Sequence, residues 1–382
     1  MINLSDTFKK FKTAETEREV VQLTEGEAFC YPLYYFIPSI TKDEKYLIYH
    51  RAEKGEVQLY RLNLETGENT GITSANCKYT HWQPWCTDQG EGVLDHRSVL
   101  NVARNEVIYF SGKKGNEVHC IDVDSLKDEI IFTLPEDRIA IGQNCVTPDG
   151  KWFIYIHHDR ELFNQYVASN FDRSISRGTE LCAYNLETGE KRTLIVINSP
   201  IHHVIPYDNR HVIFCHPATE NGMLLTDING GWYKHLRTQD IYGGTVCHYL
   251  TTSRGIAYEV LGSSKGVLAG MYNPFTDERY EFKLPDEFGY THTGADPEGK
   301  IWFFDNKSEE IYYLKRHNKN GEDSWQKLFH SWETYGGGQK AHYHPRITED
   351  RKWMLLTAGD EATETNHLFL LNIEDLSPTQ GM

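Results

Sequence analysis

Several things are missing from this 382-residue chain, and each absence excludes a class of protein. No apolar run approaches the ~20 residues that a bilayer-spanning helix needs. The first 19 residues carry Lys9, Lys10 and Lys12 but no apolar segment of the kind that makes a secretory leader, so a cytoplasmic location is expected. The eight cysteines, at 30, 77, 86, 120, 145, 182, 215 and 247, stand singly with no Cys-x-x-Cys pair. Buried free thiols suit that pattern better than a disulfide framework. Positive charge is scarce: 39 Lys and Arg stand against 55 Asp and Glu, a net charge of −16 with no basic cluster. A nucleic-acid partner is thereby disfavoured, and an anionic substrate would have to be met by a metal or by single Arg and Lys residues.

Catalytic signatures of several kinds are absent too. Gly336-Gly337-Gly338-Gln339-Lys340 has neither the spacing nor the hydroxyl of a phosphate loop, and no serine sits in a Gly-x-Ser-x-Gly elbow. No Ser/Gly/Pro-rich linker divides the chain, although it is too long for one small core. A barrel, propeller or solenoid therefore has to be considered.

What is abundant is aromatic and β-branched. Aromatic residues make up 13% of the chain, with 23 Tyr, and short Val/Ile/Tyr/Phe runs are bounded by polar turns. A repeat starts near Phe36, with the turn Lys42-Asp43-Glu44 and the closing turn Leu64-Glu65-Thr66-Gly67-Glu68. It returns at Pro148-Asp149-Gly150-Lys151-Trp152 with Leu186-Glu187-Thr188-Gly189-Glu190, at Asp208-Asn209, at Ser253-Arg254-Gly255, at Pro297-Glu298-Gly299 and at Glu349-Asp350-Arg351-Lys352-Trp353. A less regular copy lies between about Val93 and Leu134. Seven units of roughly 40–60 residues predict an all-β, seven-bladed β-propeller.

The expected layout is a helical or extended segment over 1–19, a single propeller over 20–376 and a tail over 377–382. Within the first segment, residues 4–12 fit a short amphipathic helix, with Leu4, Phe8 and Phe11 on one side. The lone strand at 20–23 is expected to pair with the last unit and close it. An insertion at 157–178 fits a rim or lid, and residues 73–104 match the repeat least well.

Aligning the units on their first turn yields a register. Seven residues before Gly150, Arg210, Gly255, Gly299 and Arg351 stand Gln143, His203, His248, His292 and His344. The two remaining units place Ile37 and Ser98 there, so the polar positions occupy one arc. Convergent titratable groups of this kind mark a candidate active site, although innermost strands also use polar residues to hold channel water. Around His344 the chain reads Gln339-Lys340-Ala341-His342-Tyr343-His344-Pro345. Imidazoles at i and i+2 share one side of an extended chain, and an amide three residues upstream reaches the same point if the chain bends. That is half of a metal site, of harder character than a closed structural zinc site.

Gln339-x-x-His342-x-His344-Pro345 resembles the metal motif of the oligogalacturonate lyases, a family of seven-bladed propellers. Tyr290-Thr291-His292 is similar to that family's further histidine ligand, Val246-Cys247-His248 to its catalytic histidine, and Phe214-Cys215-His216 to a tripeptide within one of its blades. The resemblance implies a divalent metal, Mn²⁺ first, held by His292, Gln339, His342 and His344. It also implies cleavage of short uronic-acid oligosaccharides by β-elimination, with His248 as the base. Gln143, His203, Arg177 and Tyr343 are expected to contact substrate, and Trp82, Trp85 and Tyr335 are further aromatics able to stack on sugar rings. One departure stands out. The family's catalytic arginine, due near Asn221-Gly222-Met223, is missing, and Arg160, Arg173, Arg177 and Lys340 are the cations considered in its place. Two alternatives follow: an enzyme acting on another uronate-containing glycan, or a non-catalytic propeller that binds sugars or proteins. No membrane partner is expected, and the oligomeric state is left open.

Overall fold

The computed structural model describes residues 2–80, 89–94, 96–169, 172, 175, 178–198, 200–216, 222–237, 243–285, 292–305, 311–316, 323–329 and 332–376. Their regular elements are almost all strands, with one α-helix and two 3₁₀ turns among them. Local chemistry repeats along with the strands. Thr147 donates its hydroxyl to Asp149 at 2.7 Å, while the amides of Lys151 and Trp152 return to Asp149 Oδ1 and Thr147 Oγ1 at 3.1 and 3.0 Å. Thr41 with Asp43, and Thr348 with Asp350, build the same hairpin turn. The closing turns are equally uniform: Asn63, Asn185 and Asn273 each accept two backbone amides on Oδ1, fixing the reversal between the third and fourth strands. Gly67 and Gly189 complete two of these turns at φ +78° and +74°, where a side chain is disfavoured.

The chain divides into two compact units. The first comprises Met1–Phe36, Asn63–Glu68 and Ile241–Met382, and the second Ile37–Leu62 and Asn69–Asp240. In the first unit, Thr245–Thr252, Gly255–Ser263, Gly266–Tyr272 and Arg279–Lys283 form one antiparallel sheet. His292–Ala295, Ile301–Asp305, Ile311–Arg316 and Asp323–Phe329 form another. A third runs in the order Lys9–Lys12, Glu19–Gln22, Thr365–Asn372, Trp353–Asp360 and Arg346–Ile347. The expected closing strand is therefore present, with Val20 opposite Leu371 and Val21 opposite Leu370. Apolar faces of these sheets bury Val20, Leu356, Phe369 and Leu371 in one cluster, and Ala257, Trp302 and Phe304 in another.

In the second unit, Val99–Asn101, Glu106–Ser111, Glu117–Asp122 and Asp128–Thr133 form a regular four-stranded sheet, where the sequence led us to expect an irregular one. Val204–Pro206, His211–His216, Gly222–Asp227 and Lys234–Arg237 form another. Trp152–Asp159, paired with both Arg138–Ala140 and Cys145–Val146, continues into Thr179–Asn185 and Lys191–Ile197. Ile154, Ile156, Leu181, Val212 and Phe214 fill this unit's core.

Six sheets are thus antiparallel throughout, which corrects the expectation of seven regular blades to six. The pattern breaks after Glu56–Asn63, which pairs antiparallel with Asn69–Gly71 but parallel with Gln89–Gly92, itself paired with Cys77–Thr80. The break falls within the stretch that matched the repeat least well.

Two further expectations change. No helix forms over residues 4–12: Lys9–Lys12 is a strand paired with Glu19–Gln22, and Phe11 packs edge-on against Trp332 and Phe369. Ladder hydrogen bonds and aromatic packing win there over a weak helical period. The insertion at 157–178 begins as strand and then forms the helix Arg160–Ala168, capped by Asp159, whose Oδ1 accepts the Leu162 amide at 2.9 Å. Among the described residues, no helix is long and apolar enough to cross a membrane. The six cysteines with described side chains are free and buried.

Candidate active site and metal centre

The register read from the turns places comparable residues at comparable points of their sheets. His248 lies within Thr245–Thr252 and His292 opens His292–Ala295, while His344, His203 and Gln143 stand one or two residues before Arg346–Ile347, Val204–Pro206 and Cys145–Val146. Three of the five belong to the first unit and meet there. The ring centroids of His248 and His292 are 4.4 Å apart, and those of His292 and His344 5.1 Å apart. His342 joins them, its Nδ1 at 3.4 Å from His292 Nε2. Ligating nitrogens of His292, His342 and His344 all lie within 4.8 Å of one another.

His248 and His292 are each aimed by their backbone and by a carboxylate. In the pairing of Thr245–Thr252 with Gly255–Ser263, Val246 faces Val260 and Tyr249 faces Tyr258, so Cys247 and His248 together oppose Glu259 alone. That bulge turns His248 toward the acid, and Nδ1 lies 2.5 Å from Glu259 Oε1. Glu259 is fully buried, and its other oxygen accepts the Thr293 hydroxyl at 3.0 Å. With Nδ1 committed to the carboxylate, Nε2 is the nitrogen left to accept a proton. Burial holds the His248 imidazole below its ordinary pKa despite the attraction of Glu259. For His292, burial acts in the same direction, but Asp305 outweighs it and the pKa is raised. Asp305 faces His292 across the sheet, and its oxygens lie 2.9 and 3.0 Å from Nδ1, which leaves Nε2 toward the other imidazoles.

The segment leading into His342 and His344 bends. Gln339–Ala341 forms a 3₁₀ turn, and Asn366 Nδ2 holds the Lys340 carbonyl at 2.9 Å. The side chain of Gln339 lies outside the described residues. His344 is buried with φ at +45°, an unfavourable conformation for a non-glycine residue before proline. Strain of this kind persists only where the surroundings fix the side chain. Three imidazole donors, one of them backed by Asp305, make a donor set that suits a divalent cation and leaves coordination positions open.

Other expected residues are placed differently. Tyr343 does not join the imidazoles: it is buried in the core against Phe329, with its hydroxyl donating to the Trp332 carbonyl at 2.5 Å. Gln143 and His203 are buried in the second unit, where the Gln143 amide donates to the His202 carbonyl at 2.8 Å and His203 Nδ1 lies 3.7 Å from Cys215 Sγ. Arg177, Arg173, Trp82 and Trp85 lie outside the described residues. Arg160 donates to the carbonyls of Lys114, Glu136 and Arg138, and the Lys340 ammonium sits over the Phe29 ring at 4.9 Å.

The sequence reading missed Glu259, Asp305, Tyr34 and Tyr35. Tyr35 packs 5.6 Å from His248 and 5.4 Å from His292, and Tyr34 lies 4.7 Å from His344. Arg346, also missed, donates to the Tyr35 carbonyl at 3.5 Å. The two acids had a signal, since a carboxylate inside Ala257-Tyr258-Glu259-Val260 or ending Phe303-Phe304-Asp305 is costly to bury unless it has a partner.

Comparison with known proteins sets this geometry in context. A curated oligogalacturonate lyase of Dickeya dadantii is 22% identical over 97% of both chains, and a curated oligogalacturonide lyase of Pectobacterium atrosepticum is 23% identical over 55% of this chain and 51% of its own. Among solved structures, an oligogalacturonate lyase from Vibrio parahaemolyticus superposes with a TM-score of 0.78 at 20% identity over 97% of both chains. An oligogalacturonate lyase in complex with manganese superposes at 0.77 and 21% identity over 98% of both. These likenesses fix the fold as an all-β propeller. The oligogalacturonate lyase family model matches residues 2–267, a span that contains His248 and ends before His292. A match over that much of the chain settles its kinship: it belongs to the oligogalacturonate lyase family and is a lyase.

Proposed function

We propose that the chain cleaves short uronic-acid oligosaccharides of the oligogalacturonate kind by metal-dependent β-elimination. His292, His342, His344 and Gln339 would hold the ion, Mn²⁺ first, and His248 would act as base. The observation that carries this reading is the meeting of His248, buried and held by Glu259, with three imidazoles whose nitrogens lie within 4.8 Å of one another. A relative described in complex with manganese supports the choice of ion.

When bound, the cation supplies Lewis acidity that neutralises the uronate carboxylate and so acidifies the proton α to it. His248 Nε2 takes that proton, and the resulting imidazolium is stabilised through Nδ1 by Glu259. The C–H electrons form the new double bond, and the bond to the glycosidic oxygen breaks, that oxygen taking a proton from water while the imidazolium returns its own to solvent. Asp305 holds the His292 ring in the orientation that exposes Nε2.

The test is ultraviolet detection of unsaturated uronate from di- and trigalacturonate, after chelation and again after Mn²⁺ is restored. Product that requires metal and disappears in His248→Ala and His344→Ala is the expected result. Bound metal without product would overturn the oligogalacturonate substrate and favour another uronate glycan, a reading that the missing arginine already motivates. Failure to bind metal would overturn the lyase mechanism in favour of a binding module.

A further inference from the structure

The second unit contains another group of potential ligands that the proposed mechanism leaves unused. His157 stands directly opposite Glu180 in the pairing of Trp152–Asp159 with Thr179–Asn185, and Cys182 follows two residues along. All three therefore occupy one face of the sheet. Cys182 Sγ lies 3.5 Å from His157 Nε2, and Glu180 Oε2 lies 3.9 Å from the same nitrogen. The three donor atoms fall within 4.8 Å of one another. His157 and Cys182 are only 7% and 4% exposed, and His157 Nδ1 is buried with no hydrogen-bond partner among the described residues.

A thiol–imidazole hydrogen bond would explain the 3.5 Å contact alone, but it gives no reason for the third donor. The Glu180 carboxylate is divided: Oε1 meets Arg138 Nη2 at 3.0 Å, while Oε2 faces His157 and receives the Thr193 hydroxyl at 3.4 Å. A tetrahedral zinc ion, ~2.3 Å from sulfur and ~2.0 Å from nitrogen and oxygen, spaces its donors about 3.3–3.6 Å apart. The sulfur–nitrogen separation of 3.5 Å matches such an edge, and the nitrogen–oxygen separation of 3.9 Å lies somewhat beyond it, before any ion has drawn the ligands in.

We propose that His157 Nε2, Cys182 Sγ and Glu180 Oε2 form a second metal site, selective for zinc, with water in the fourth position. A thiolate ligand favours zinc over manganese, so the two sites would sort the two ions by softness. Arg138 serves as a positioning residue through Glu180 Oε1. Without metal the thiol is protonated at neutral pH, as a cysteine ordinarily is. Binding breaks the S–H bond, forms the sulfur–zinc bond and releases one proton to solvent. Such an ion would tie together the neighbouring strands Trp152–Asp159 and Thr179–Asn185.

Titration of the full-length protein with Co²⁺, followed by Zn²⁺, tests this. Thiolate-to-cobalt charge transfer in the near ultraviolet is expected at one equivalent, with displacement by zinc and loss in Cys182→Ser and His157→Gln. The imidazole cluster of the first unit contains no thiolate and cannot give that band. Calorimetry in buffers of different ionisation enthalpy should register about one proton released per zinc. In case a variant folds poorly, a second measurement on the unmodified chain compares melting with and without Zn²⁺, where a rise is expected. Absence of the band in the folded protein, or its persistence in folded Cys182→Ser, would overturn the site. So would zinc binding without proton release.

Discussion

Glu259 shows how one residue can matter to the chemistry without touching substrate. Fully buried, it is shared between His248 Nδ1 and the Thr293 hydroxyl. Glu259→Gln keeps the shape but removes the negative charge that stabilises imidazolium, and it allows the amide to present its NH₂ group to Nδ1. We expect kcat to fall by about 10²-fold or more, within the usual span for general-base effects, while KM and metal content stay near their original values. Steady-state kinetics with metal analysis checks this. Equal losses in metal content and rate would mean that Glu259 acts through the ligands instead. At this scale the histidines were legible, because a turn-anchored register needs no knowledge of packing. Glu259 and Asp305 were not, because they lie on second strands outside that register and reveal themselves only as charges in apolar runs. Tyr343 stands between His342 and His344 in sequence but packs into the core, because the chain there is irregular and no face alternation governs it.

Among elements, Thr365–Asn372 buries a titratable residue. His367 is fully buried within it, with Nδ1 3.4 Å from Thr24 Oγ1 and Nε2 3.2 Å from Thr365 Oγ1. Burial lowers its pKa, and Asp360 and Glu25 offset this only in part. A histidine with a depressed folded pKa contributes stability that is fully present above its unfolded value of about 6.5 and is lost as pH falls through the folded one. Thermal midpoints should therefore decline from pH 7 toward pH 5, and His367→Gln, which cannot titrate, should decline less steeply. Parallel slopes in the two proteins would rule out His367 as a source of acid sensitivity. Elements were legible where turn chemistry dictated them: the Thr-x-Asp hairpins and the Asn-capped reversals recur with the same hydrogen bonds in both units. They were illegible where pairing partners decided, as in Lys9–Lys12, whose strand depends on Glu19–Gln22 lying beside it. The helix Arg160–Ala168 was overlooked because a polar insertion in a β repeat reads as loop, although Asp159 was a recognisable cap.

Over the whole molecule, the first unit joins the two ends of the sequence. Glu19–Gln22 pairs with Thr365–Asn372, the Leu23 amide donates to the Leu368 carbonyl at 2.8 Å, and Arg18 Nη2 donates to Asp375 Oδ2 at 3.0 Å. Val20 and Val21 are fully buried in this pairing, worth about 1.5–3 kcal/mol each by area. Without the N-terminal strands, Thr365–Asn372 would become an edge carrying Leu368, Phe369, Leu370 and Leu371, a template for pairing with other chains. The repeat pattern predicted this closure, since a strand that stands outside every unit has no other partner to satisfy its backbone. Deleting residues 1–23 should lower the thermal midpoint by several degrees, using about 2–4 °C per kcal/mol for larger domains. It should also produce concentration-dependent oligomers in size-exclusion chromatography, and a synthetic peptide of residues 1–23 should reverse both effects. If the truncated chain instead stays monomeric with an unchanged midpoint, the pairing contributes nothing to stability, and the exposed edge must be protected by side chains of the last sheet itself.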